Sequence, residues 1–109
     1  MATLTEEALR SNLIRSGVPE YMHGSYVRYL LHGIPPGDFM MAVLTNDLTE
    51  ACARADRTNQ QVLYQHVDFL YNYAPSDSWG SVNKVSVWLK RHAERMASGE
   101  LAEIMNVLP

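Results

Sequence analysis

Cysteine is nearly missing from this chain of 109 residues: Cys52 stands alone. A lone thiol forms no internal disulfide and cannot supply the thiolates of a zinc finger. Long apolar runs are missing too, and nothing approaches the ~20 residues that a membrane span needs. The residues after Met1 read ATLTEEALRSN. They lack the basic start and apolar stretch of a secretory signal. These absences lead to the expectation of a protein that works in a reducing cytoplasm, away from membranes.

Net charge is also small, −3 from twelve acids and nine bases. That field is too acidic to hold nucleic acid as a whole and too weak to imitate it. The charge is uneven. Glu6, Glu7, Glu20, Asp38, Asp47 and Glu50 in residues 1–50 face only Arg10, Arg15 and Arg28, whereas residues 51–109 are balanced. With 47% apolar and 19% charged residues, the chain can bury enough surface to offset the entropy of folding. Its length fits one domain, residues 1–109.

What is abundant is helix punctuation. Thr3-Leu4-Thr5-Glu6 has the form of a capping box, with Glu6 placed to reach back to Thr3. Gly17 stops the first helix, and Pro19 opens a second over residues 19–32 with Met22, Tyr26, Tyr29 and Leu30 on one stripe. Gly33 ends it, with Ile34 folding back. Pro36 predicts the next start. The stripe Met40, Leu44, Leu48, Cys52 and Ala55 fits one helix to Asp56 or two, and the poor helix formers Thr45-Asn46-Asp47 favour a break, with Asp47 and Glu50 capping the second piece. Thr58–Gln61 repeats the capping pattern. The helix it predicts, 58–74, carries Leu63, Val67, Leu70 and Ala74 as its centre line, widened by Tyr64, His66, Tyr71 and Tyr73, and therefore reads as central. After the loop 76–81, Ser81 caps a helix over residues 82–97 with Val85, Leu89, His92 and Met96 inward. Ser98-Gly99 interrupts it, and Leu101, Ile104, Met105 and Leu108 predict a short last helix. No segment alternates long enough for a strand. The expected fold is all-α, a compact orthogonal bundle of six to seven short helices.

Chemistry is harder to find. None of His23, His32, His66 and His92 has a second ligand at helical spacing, so no metal and no cofactor is expected. There is no nucleophile elbow and no Cys/His signature, and Cys52 on its apolar stripe reads as a small buried hydrophobe. Pro35-Pro36-Gly37-Asp38 lacks the glycines and lysine of a phosphate loop, and Asp38 repels phosphate. Asp47 with Glu50, and Glu100 with Glu103, sit where helix starts favour acids. No catalytic residue is expected.

Contact surfaces remain. Lys84, Arg91 and Arg95 fall on one line of their helix, with Trp88 beside them and Lys90 further round. That set suits an acidic partner or a nucleic acid; the competing reading is a solvated face with Trp88 flanking the core. On the second helix Tyr21, Ser25, Arg28 and His32 lie opposite the apolar stripe, the composition of an interface anchor or of an ordinary polar face. Trp79 in the loop is a plug for the bundle or a partner contact.

The run His32-Gly33-Ile34-Pro35-Pro36-Gly37-Asp38-Phe39, continuing through Ala42-Val43-Leu44 and Asn46-Asp47-Leu48 to Arg54-Ala55-Asp56, then Phe69-Leu70-Tyr71-Asn72, Ala74-Pro75, Trp79-Gly80-Ser81 and Trp88, resembles small uncharacterised proteins of tailed bacteriophages and prophages over about residues 17–90. The resemblance carries no activity and no functional residue. It implies a context, a bacterial host cytoplasm, in which small accessory proteins bind host machines such as CRISPR effectors. The expectation is thus a non-enzymatic protein that binds a host protein complex and inhibits host defence. A helical nucleic-acid-binding protein is the alternative, and a small enzyme assembled around His66 or His92 stands third.

Overall fold

The computed structural model describes the backbone of residues 4–107 and the side chains of residues 4–95. Among these residues lie seven α-helices and no strand, the all-α bundle expected. They are α1 (Glu6–Ser16), α2 (Glu20–His32), α3 (Asp38–Leu44), α4 (Leu48–Arg54), α5 (Arg57–Gln61), α6 (Leu63–Tyr73) and α7 (Val82–Val107).

Local chemistry accounts for most boundaries. The hydroxyl of Thr5 accepts from the Ala8 amide at 3.1 Å and starts α1. This differs from a cap at Thr3, which lies outside the described residues; Glu6 pairs instead with Arg10, one turn on, at 3.0 Å. Gly33 takes φ 64°, and the amides of Gly33 and Ile34 donate to Tyr29 and Arg28, closing α2 as the sequence suggests. The break after Leu44 is present. Asn46 turns left-handed at φ 63°, and Asp47 accepts from the Glu50 amide at 3.1 Å to start α4.

Two expected helix spans fail. The single helix over 58–74 is two helices, and Asp56 rather than Thr58 caps the start, accepting from the Asn59 amide at 2.7 Å. Val62 then leaves helical geometry at φ −124°, ψ 24°. The kink has a purpose in packing. Across it the side chains of Asn59 on α5 and His66 on α6 are hydrogen-bonded at 2.9 Å. The second failure is at Ser98-Gly99, which α7 passes without interruption, absorbing the predicted last helix. A helical glycine costs only ~1 kcal/mol against alanine, and Glu100, Leu101, Ala102 and Glu103 beyond it are good helix formers. The last helix is therefore long, not short.

Helix α1 packs on α2 and α6, α4 on α3, and α7 on α2. Between them lies one core, drawn from Leu9 and Leu13, Tyr26, Tyr29 and Leu30, Met40 and Leu44, Phe69 and Leu70, and Val85. Two of its tyrosines are fully buried and need partners for their hydroxyls. Tyr29 donates to the Ser78 carbonyl at 2.6 Å, and Tyr26 reaches His66 at 2.6 Å. Both phenols are raised above their ordinary pKa by burial.

Candidate partner-binding groove

The expected contact residues are spread over separate places. Tyr21 is exposed, but its hydroxyl donates to Asp56 at 2.7 Å, so it bridges α2 to the start of α5. That bond holds the Asp56 carboxyl below its usual range and pushes the Tyr21 phenol up. Arg28 is exposed and reaches Ser25 at 3.3 Å, and His32 is exposed at the end of α2. Trp79 is half-buried against the core, where it plugs the bundle; its neighbour Gly80 donates to the Leu44 carbonyl at 2.7 Å. On α7, Trp88 is half-buried and donates to the Tyr29 carbonyl at 3.2 Å, with the His92 ring tilted against it, the ring centres 4.8 Å apart. Two of the basic groups beside it are tied to the preceding loop: Lys84 donates to the Ser76 carbonyl at 3.2 Å and Arg91 pairs with Asp77 at 3.1 Å. Lys90 and Arg95 are exposed. The basic line thus serves in part to hold the loop 76–81 on α7.

A different surface stands out. The kink at Val62 and the break before α4 rotate several apolar side chains away from the core. Leu48 is 71% exposed, Tyr64 and Tyr71 77% each, and Val67 46%. The centre line expected of α6 is therefore displaced: His66, Phe69 and Leu70 face inward, and Val67 faces outward. The apolar stripe across residues 40–55 is corrected in the same way. Met40, Leu44 and Ala55 are buried as expected, but α4 restarts in another phase, so Ala51 turns in while Leu48 and Cys52 turn out. Cys52 is exposed, not a core residue.

Leu48, Tyr64 and Val67 line a groove of ≈ 270 Å³ between α3, α4 and α6, and Tyr71 follows one turn beyond Val67. Ala42, Val43 and Ala51 form its floor, Leu48, Leu63, Tyr64 and Val67 its walls, and Asn46 and Asp47 its rim. No family model matches this chain, and neither a curated protein nor a solved structure matches it. The groove must therefore be read from its own chemistry. No lysine or arginine lines it. Tyr64, Val67 and Tyr71 follow the i, i+3, i+7 spacing of a helix-packing seam, yet among the described residues all three are left exposed. Sequence reasoning assigned all three to the core. The available signal was the width of the α6 stripe, apolar over more of the helix than one inner face can bury, with tyrosines, common at interfaces, on its edge.

The histidine considered for catalysis sits elsewhere. His66 is fully buried beneath Phe39 and held at both nitrogens. Asn59 Oδ1 only accepts, so Nε2–H donates to it at 2.9 Å, and Nδ1 accepts from the Tyr26 hydroxyl at 2.6 Å. Burial lowers its pKa to about 4, keeping the ring neutral. An imidazole with both nitrogens engaged inside the core has no free position for a substrate proton. His92 donates Nδ1–H to the Trp88 carbonyl at 3.1 Å, and His23 Nε2–H to Val18 at 2.8 Å. Among the described residues no three His, Cys, Asp or Glu side chains gather as metal ligands, and no helix is long and apolar enough to cross a membrane. Of the paired carboxylates, Asp47 caps α4 and Glu50 pairs with Arg54 at 3.1 Å; the side chains of Glu100 and Glu103 lie outside the described ones.

Proposed function

We propose that this chain is a non-enzymatic accessory protein of the phage type, acting in a bacterial cytoplasm by docking on a host protein complex and inhibiting it, with a defence complex as the target class. The observation that carries the docking part is the apolar groove of α3, α4 and α6, flanked by exposed Leu48, Tyr64, Val67 and Tyr71. Clustered exposed apolar side chains rimmed by polar ones mark interaction surfaces on soluble domains. Protein contact accounts for this groove better than a small-molecule site does. Its ≈ 270 Å³ lies below the ~300–1,000 Å³ typical of ligand pockets, and its walls bring no converging polar groups.

The test uses the full chain as bait for bacterial lysate, beside Val67→Lys and Tyr64→Lys chains. Both positions are exposed, so the variants should fold. The expected result is one complex captured in stoichiometric amount by the native chain and lost by both variants, with interference by the captured complex restored in cells that express the variants. Capture of nothing, or of the same proteins by all three baits, sinks the reading.

A further inference from the structure

Resting on that docking role, we infer that the groove takes a basic amphipathic α-helix of another protein, with apolar anchors between α4 and α6 and lysines or arginines over the groove's acidic border. Three features define the occupant. The first is register. Tyr64, Val67 and Tyr71 run two turns along α6 at heptad spacing, and Leu48 faces them from α4. Such a row receives a second helix, whose anchors repeat at i, i+3 or i+4, and i+7.

The second feature is charge. Asp47 stands on the rim, and Asp68, outside the lining, lies one turn beyond Tyr64 on α6 and ~40° round from it. Among the described residues neither carboxylate has a salt-bridge partner: Asp47 accepts from the Glu50 amide, and Asp68 from the Asn72 side chain. Uncompensated acids beside an apolar floor, with no cation in the lining, favour Lys or Arg on the incoming helix. The third is exclusion. A second copy laid face to face on this groove brings two acidic borders together and no cation to either, and like charges across an interface are costly. A nucleic acid or an anionic lipid surface meets the same carboxylates.

The experiment titrates the full chain, labelled for NMR, with a synthetic leucine–lysine helix of about five turns and with its leucine–glutamate twin. The lysine helix should bind, with shifts confined to the groove face of α3, α4 and α6. Affinity should fall at least about tenfold in Val67→Lys and Tyr64→Lys, and the twin should be weaker by a similar factor. Equal binding of the twin overturns the inference, as do shifts that map elsewhere. Concentration-dependent dimerisation that Val67→Lys abolishes overturns it in favour of a second copy. Failure of the lysine helix, while the native chain still captures a host complex that both variants lose, removes the basic helix and leaves the docking role standing. Groove binding of the lysine helix without any lysate capture does the reverse.

Discussion

His66 illustrates how one side chain carries a pH dependence. It is neutral in the fold with a pKa of about 4, against an unfolded value near 6.5. Between those values the unfolded chain binds a proton that the folded chain refuses, so stability must fall as pH falls. Its full contribution is present above pH ~6.5, is lost progressively on acidification, and levels off below pH ~4, a total of about 3 kcal/mol. Urea unfolding at pH 7 and pH 5 checks this, and a His66→Gln chain should lose most of the difference. A stability that rises over that interval would refute the assignment. Cys52 makes the opposite point. Its exposure predicts complete labelling of one thiol per native chain by a disulfide reagent. Protection until the chain unfolds would restore the buried position that the apolar stripe suggested.

At the scale of elements, the loops hold more information than the helices they join. Gly33 is the clearest case. Its φ of 64° is strained for any other residue, and a Cβ added there would overlap the Cβ of His92. The C-terminus of α2 therefore sets how closely α7 approaches. Gly33→Ala combines a left-handed alanine, ~1–2 kcal/mol, with an overpacked contact of ~1–3 kcal/mol. We expect a loss of about 2–5 kcal/mol in denaturant unfolding and a weaker bond from Trp88 to the Tyr29 carbonyl, visible as a shifted indole fluorescence. The helix ends at Gly17 and Gly33, the break before α4 and the N-cap at Asp47 were all legible in the sequence, because each depends on residues within one turn. The split at Val62 was not. It depends on a hydrogen bond between Asn59 and His66 that local pattern cannot register.

For the whole molecule, the groove implies that some apolar surface contributes nothing to folding. Replacing Val67 or Tyr64 with lysine should leave stability within about 0.5 kcal/mol, as for ordinary surface changes, while removing partner capture. A large drop in the melting temperature of either variant would mean that the side chain belongs to the core after all. The same view explains the spread of the expected contact residues. Tyr21 bridges to Asp56, Lys84 and Arg91 hold a loop, and Trp79 and Trp88 close the bundle. Each of these side chains has a partner in another part of the same chain.

The sequence by itself determined the helical class, most helix ends, and the burial of Tyr26, Tyr29, Leu44 and Leu70. These follow from period, capping and the fixed torsions of proline and glycine, which act over a few residues. Only the tertiary structure decided which side of a wide apolar stripe faces inward. On α6 the apolar positions cover more of the helix than one core can contact, so neighbours choose among them: α1 and α2 take His66, Phe69 and Leu70, and Tyr64, Val67 and Tyr71 are left outside. The same holds for Leu48 and Cys52, whose direction depends on the angle at which α4 restarts. Periodicity fixes the stripe, while packing fixes its rotation, and the candidate binding surface is what that rotation leaves uncovered.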